Sequence, residues 1–373
     1  MNNKKIGLVT THYAINYGAV LQAYALYKAI NKINGRCEVI DYTPQNKSIG
    51  RKIVYKFDSI KSSIYSFLLF INLKYRINKK NKVKKFDNFL NKNFHFSDSK
   101  FQSKKDLENN LDQYDILVCG SDQIWNLNLF NDETMFLKFE NNSKAKKYIA
   151  YAPSIAAKMT IDQLKTIGKN IEHFSYLSLR ESIGIKELLP FTNKTIKHVL
   201  DPIFLLEKKH WKEMSQSAPI NGPYILLYTI GGAGKYMKKS VDLIRKKLGY
   251  KLVYINLAPF DKFRSDLLLS DVSPEQFVSL IENSNFVITS SFHGTAFSAH
   301  FDKEFYCYPF ENRSSRHESL LKKIGLEDRI LKDDNFIEKC STIKKIDYSK
   351  INVLKKRNIE ESLNFLKNSI HDE

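Results

Sequence analysis

Short apolar runs alternate along this chain with stretches whose apolar positions recur every three to four residues. That is the pattern of strands buried on both faces alternating with helices. Residues 5–10 (KIGLVT) predict a first strand. After a polar turn holding Asn16 and Gly18, the spacing of Val20, Leu21, Tyr24, Ala25, Tyr27 and Ile30 predicts a helix. Gly35 stops it, and 37–42 (CEVIDY) predicts a second strand. Strand, helix and strand in that order build a parallel sheet wound like a Rossmann fold. The glycine-rich dinucleotide fingerprint is missing, but the carboxyl end of the first strand is still where ligand contact is expected.

Further strands are predicted at 114–120, 147–152, 176–180 and 197–201. Between them, 51–105 shows lysines and aromatics without strand period and predicts a basic helical insertion. Asp201-Pro202 opens a linker and reads as a structural turn, and Trp211 falls in a helix. The pattern then restarts with strands at 224–230, 251–256, 286–289 and 305–309, with a helix starting at Ser273-Pro274. An amphipathic helix over 347–373 closes the chain. The expected fold is therefore α/β: two Rossmann-like domains facing a cleft. Residues 1–200 form the first (with the insertion at 51–105) and 201–345 the second. A C-terminal helix over 346–373 packs back on the first domain.

Length agrees, since 373 residues at roughly 150 per domain give two. With 43% hydrophobic and 13% aromatic residues, the chain is neither disordered nor collagenous. The net charge of +19 comes mainly from lysine. Part of it is compositional bias; the rest favours phosphorylated substrates or anionic lipid. Nucleic acid is not expected as a partner, because no zinc-finger or RNA-recognition signature appears. Cys37, Cys119, Cys307 and Cys340 form neither CxxC pairs nor a ligand cluster, which fits a reducing cytoplasm. The first apolar run is too short for a secretory leader, and no stretch reaches the roughly 18 apolar residues of a membrane span. A cytoplasmic location is expected. The basic aromatic stretch 51–85 suits either an interfacial helix at the inner face of the plasma membrane or a flap over the first domain.

The sharpest constellation is Thr289-Ser290-Ser291-Phe292-His293-Gly294-Thr295, where a strand runs into hydroxyls, an imidazole and a helix start. Free amide N–H groups there make an anion site, and His293 can transfer protons near neutrality. Arg313 and Arg316 follow in a chain poor in arginine, and guanidinium groups match carboxylate and phosphate bidentately. Ser121, Asp122, Trp125 and Asn126 end a strand and could form a sugar platform; the plainer alternative is a turn with a core tryptophan. Asn16, Tyr17 and Gly18 form a similar polar turn. Residues 231–235 (GGAGK) lack the phosphate-loop spacing. No DxD, GxSxG or HExxH occurs.

Taken in order, TTHYAINYGAVLQAYAL (10–26), DILVCGSDQIWN (115–126), YLSLRE (176–181), LDPIFLL (200–206), YILLYTI (224–230) and FVITSSFHGTAFSAHF (286–301) resemble the polysaccharide pyruvyl transferase family. Residues 51–105 have no counterpart in that pattern. The resemblance implies a GT-B-like fold, phosphoenolpyruvate as co-substrate, no metal and no further cofactor. It also implies a glycan or lipid-linked oligosaccharide as acceptor, with a pyruvate ketal as product. On this resemblance His293 is the proton-transfer residue and Asp122 a second candidate base. Ser290, Ser291, Gly294, Thr295, Arg180, Arg313 and Arg316 bind the donor; Asn16, Tyr17, Gly18, Ser121, Trp125 and Asn126 bind the acceptor. Two other functions fit the same residues: a metal-independent GT-B-type glycosyltransferase using a nucleotide sugar, and a non-catalytic scaffold at the membrane face.

Overall fold

The computed structural model describes residues 4–44, 50–130, 132–139, 145–156, 158–217, 220–261, 263–310 and 314–372. The first half runs β1 (Ile6–Val9), α1 (Tyr17–Asn34), β2 (Cys37–Tyr42), α2 (Ile60–Ile71), α3 (Leu73–Asn93), β3 (Phe96–Phe101), α4 (Lys104–Glu108) and β4 (Ile116–Asp122). It continues with β5 (Lys147–Pro153), α5 (Ile161–Ile171), β6 (Tyr176–Leu179), α6 (Ser182–Leu188) and β7 (Ile196–His198). The second half runs α7 (Lys208–Met214), β8 (Tyr224–Tyr228), α8 (Lys235–Leu248), β9 (Lys251–Ile255), β10 (Leu267–Leu269), α9 (Pro274–Glu282), β11 (Phe286–Thr289), α10 (Phe292–His300) and β12 (Phe305–Cys307). Three helices follow: α11 (Ser314–Ile324), α12 (Phe336–Thr342) and α13 (Tyr348–His371).

Two parallel sheets result, of order β3-β2-β1-β4-β5-β6-β7 and β10-β9-β8-β11-β12. Inner strands such as β1 and β4 bury Ile6, Leu8, Ile116 and Val118 completely, as strands covered by helices on both faces must. In the first sheet the chain moves from β1 outward to β2, then returns to the other side of β1 with β4. In the second it does the same about β8 with β9 and β11. Each reversal leaves a crevice beyond the carboxyl ends of the two strands concerned.

Three expectations need correction. The 51–105 segment is helical over α2 and α3, but Phe96–Phe101 is an edge strand. An edge strand buries little, so FSDSKF shows none of the apolar run that marks the inner strands. The edge strand β10 was not expected either: Leu267–Leu269 is apolar but only three residues long, shorter than the four to eight that mark a strand in sequence. The strand expected over 197–201 is only Ile196–His198, because Asp201 and Pro202 open a 3₁₀ turn over Pro202–Leu205.

The halves share one continuous apolar core that holds Ile6 and Val20 together with Leu226 and Phe277. Tyr17, at the start of α1, is buried against the second half: its ring stacks on Phe277 at 4.5 Å and its hydroxyl donates to Val272 O at 2.9 Å. Helix α13 straddles both halves. Its Ser362 Oγ accepts from Leu200 N at 3.0 Å, and Lys355 Nζ donates to Ala299 O at 2.9 Å. Among the described residues no helix is long and apolar enough to cross a membrane.

Candidate active site

The two crevices meet. A pocket of about 100 Å³ is lined from the first half by Asn16, Asp122 and Gln123, and from the second by Ile230, Ser290, Ser291, Phe292, His293, Phe310, Arg316 and His317. A larger groove of about 780 Å³ lies between α1, the 204–209 segment and α13, with Ile33, Leu205 and Leu363 on its walls. None of the predicted site residues lines that groove, and the smaller pocket is the candidate site.

Its second-half wall is the start of α10. Ser291 caps the helix, its Oγ accepting from Gly294 N at 3.3 Å. The helix begins at the pocket, so its positive end favours an anion there. Ser290 Oγ accepts from Ile230 N at 3.3 Å and joins the two loops beside it. Gly294 is buried so closely against the Thr289 side chain that a Cβ there would clash, and Thr295 Oγ1 donates to Ser291 O at 3.1 Å. Both sit behind the pocket as packing residues, which corrects the expectation that they bind an anion.

His293 is 5% exposed. Its Nε2 lies 3.3 Å from Asp201 Oδ2, and the other face of the ring lies against Gly18 at the first turn of α1. Asp201 also accepts from Arg180 Nη1 at 2.6 Å, and from Ile203 N at 3.1 Å where it caps the 3₁₀ turn. Burial would raise the Asp201 carboxyl, but His293, Arg180 and the Ile203 amide overcome it and hold the group down at about 2. A carboxylate so fixed orients the imidazole and supplies a counter-ion when the ring is protonated. Asp201 was read from sequence as a turn; the signal for its role was the LDP run that ends a predicted strand, as Asp122 ends another.

Arg180 is fully enclosed. It reaches Asp201, Asp122 at 3.3 Å and Glu181 at 3.7 Å, and its guanidinium lies 4.3 Å from the Phe292 ring centre. Four such partners leave it as the organiser of the carboxylates, which corrects its assignment to the donor. Burial raises the Glu181 carboxyl against the opposing Arg180 charge, and Ser154 Oγ donates to Glu181. Asp122, at the end of β4, has φ 70°, a left-handed conformation that aspartate tolerates better than most residues. Ser154 N donates to its carbonyl at 2.8 Å. Burial raises the Asp122 carboxyl, yet Arg180, His293 and Arg316 bring it below its ordinary range. Arg316 lies 5.5 Å from the same Phe292 ring and lines the pocket directly.

The acceptor-side expectations fare unevenly. Asn16 lines the pocket and caps α1 through Gly18 N at 2.9 Å and Ala19 N at 3.2 Å. Trp125 is fully buried, stacked on Phe136 at 5.3 Å, with its indole N–H donating to Met135 O. It is core and no sugar platform. Ser121 donates to Ala152 O at 2.7 Å and Asn126 to Gln123 Oε1 at 3.1 Å, so both build the turn behind Asp122. Tyr17 joins the halves, and Gly18 makes room for His293. Arg313 lies outside the described residues. Gln123, Ile230, Phe292, Phe310 and His317 are pocket residues to which the sequence reading gave no role. Among the described residues no group of three or more His, Cys, Asp or Glu is placed to hold a metal ion.

The family model described as Polysaccharide pyruvyl transferase matches residues 16–312. Two solved structures resemble the whole chain: UDP-N-acetylglucosamine 2-epimerase from Rickettsia bellii (12% identity, 98% of each chain covered, TM-score 0.53), and Arabidopsis thaliana UGT89C1 complexed with quercetin (10% identity, 98% of this chain and 99% of that one, TM-score 0.51). At such identities they establish the fold alone, two Rossmann-like domains of the GT-B kind. The chain spans 64% of the length of the Thermobaculum terrenum O-GlcNAc transferase it also matches, at 12% identity over 98% of this chain and TM-score 0.49. The curated proteins contain no match.

Proposed function

Because this chain belongs to the polysaccharide pyruvyl transferase family, we propose that its pocket transfers the enolpyruvyl group of phosphoenolpyruvate to two hydroxyls of one sugar. The acceptor is a bacterial surface polysaccharide or its lipid-linked precursor. The methylene carbon of the donor takes a proton and becomes a methyl group, leaving an oxocarbenium-like carbon. A sugar hydroxyl adds there, the C–O bond to phosphate breaks, and the second hydroxyl closes the ketal. Of the two protons the hydroxyls lose, one replaces that taken up by the methyl group and the other leaves on phosphate.

The observation that carries this reading is His293, its Nε2 3.3 Å from the Asp201 carboxylate, beside a helix start and Arg316. The chemistry needs one group that gives a proton to carbon and regains one from a hydroxyl, next to fixed positive charge. His293 does the first; Arg316 and the positive end of α10 hold carboxylate and phosphate. Asp122, ionised by its cationic neighbours and facing the pocket from the other half, accepts a hydroxyl proton.

The test is phosphate release from phosphoenolpyruvate in the presence of candidate acceptor glycans. His293→Ala is expected to lower it about 100-fold with the fold intact, the scale of a lost acid–base group. Thermal stabilisation by nucleotide sugars and never by phosphoenolpyruvate would instead make the protein a glycosyltransferase.

A further inference from the structure

Helix α2 is inside out. Its inward face carries Leu69 and Ser66, whose hydroxyl accepts from Lys56 N at 2.7 Å and donates to Lys56 O at 2.8 Å. Its outward face carries Ile60, Ile64, Phe67, Leu68 and Ile71, one row at helical spacing. Ile60 is 82% exposed and Phe67 61%. An ordinary surface helix has the opposite arrangement, and a soluble protein rarely leaves so large an apolar patch uncovered.

The surroundings are cationic. Residues 51–86 contain eleven Lys and Arg and one acid, Asp58. Lys61, Lys74, Arg76, Lys80 and Lys84 are exposed along α2 and α3. The patch also has a definite position relative to the pocket. Arg51 Nε donates to Tyr13 O at 2.8 Å, in the loop that leads to Asn16, and Tyr65 meets Phe260, beyond β9, at 5.3 Å between ring centres. The inside-out helix thus lies beside the end of the molecule where the pocket opens. Across the pocket, its lining residues Ile230 and Phe310 are also exposed.

We propose that the α2–α3 face docks on an anionic membrane surface, with the apolar row of α2 entering the headgroup layer and the lysines lying on the phosphates. Apolar insertion flanked by basic residues is how interfacial helices bind. A second copy of the chain is a poor occupant, because it would set two cationic faces against each other. Docking of this face does not depend on which reaction the pocket carries out. It would, however, bring the pocket to a lipid-borne acceptor.

Flotation of the full chain with two kinds of vesicle tests this: pure phosphatidylcholine, and an equimolar mixture of phosphatidylcholine and phosphatidylglycerol. Binding is expected on the anionic vesicles only, weakening as salt is raised. The pairs Ile64→Glu with Phe67→Glu, and Lys80→Glu with Lys84→Glu, are each expected to reduce it at least tenfold with an unchanged thermal transition. No flotation of the unaltered protein, or flotation indifferent to both pairs, would overturn the proposal. So would sedimentation as a dimer that Phe67→Glu splits, without vesicle binding. Phosphate release with a water-soluble acceptor should be the same in these variants, which separates failure of docking from failure of the proposed reaction.

Discussion

Gly18 and His293 occupy adjoining space from opposite halves of the molecule: a Cβ on Gly18 would come within 2.7 Å of the imidazole Cε1 and closer still to Nδ1. The first turn of α1 therefore acts as a wall that sets the ring against Asp201. Alanine in place of glycine within a helix usually stabilises by about 0.5–1 kcal/mol. Here the sign should reverse. Gly18→Ala is expected to lower the denaturation midpoint and to reduce phosphate release at least tenfold, mainly in kcat. A variant that is both more stable and fully active would remove Gly18 from the site.

Asp201 lies buried between His293, at the pocket wall, and Arg180. Removing one member of a buried ion pair typically costs about 3–5 kcal/mol, because the partner charge stays behind. Arg180 keeps Asp122 and Glu181, so Asp201→Asn should fall at the lower end, about 3 kcal/mol by urea unfolding. Turnover should fall with it at denaturant-free conditions where the variant is still folded. Wild-type turnover in folded Asp201→Asn would show that the carboxylate only supports the turn at Pro202.

Among the described residues, Arg316 is the guanidinium that lines the pocket. Charge-assisted hydrogen bonds contribute about 1.5–3 kcal/mol. Arg316→Ala should therefore raise the KM for phosphoenolpyruvate roughly tenfold to a hundredfold, and Arg316→Lys should recover only part of it, since lysine lacks the planar fork. An unchanged donor KM in both variants would place the anion elsewhere.

A buried imidazole, His300, and a half-buried one, His198, set the acid limit of stability. Burial, with Lys355 and Lys208, holds His300 down at about 3; burial, with Lys323, holds His198 down at about 4. Unfolded histidine titrates near about 6.5. Below that pH the unfolded chain binds protons that the folded chain refuses. Stability is thus full above about 6.5 and declines as pH falls towards the folded values. Asp201 adds a loss in the same direction at lower pH, as its carboxyl takes up a proton near about 2. The urea midpoint should drop steadily from pH 6.5 to 4.5, and His300→Gln should flatten that drop. A level midpoint across the interval would refute the assignment.

Trp125 separates core from binding surface. Enclosed between Phe136 and Phe174, its loss to alanine should cost about 3–5 kcal/mol. Trp125→Phe should cost less and leave the acceptor KM unchanged. A raised acceptor KM with full stability would restore it as a sugar contact.

Alternating apolar runs and helical spacing determined the two parallel sheets, since strands covered on both faces must be apolar throughout and leave a signal that needs no partner to be read. The hydroxyl-rich start of α10 with His293 was legible for a similar reason: a helix cap is local, and its chemistry lies in consecutive residues. The edge strand β3 and the role of Trp125 were not, because the sequence does not say which face of an edge strand or turn will be covered. Only the folded chain decided that Arg180 serves three carboxylates and that Asp201, 92 residues before His293, stands behind the ring. Only packing, too, turned the apolar row of α2 outward. Charge pairing and side-chain direction depend on distances across the cleft, which are set by how the two halves pack.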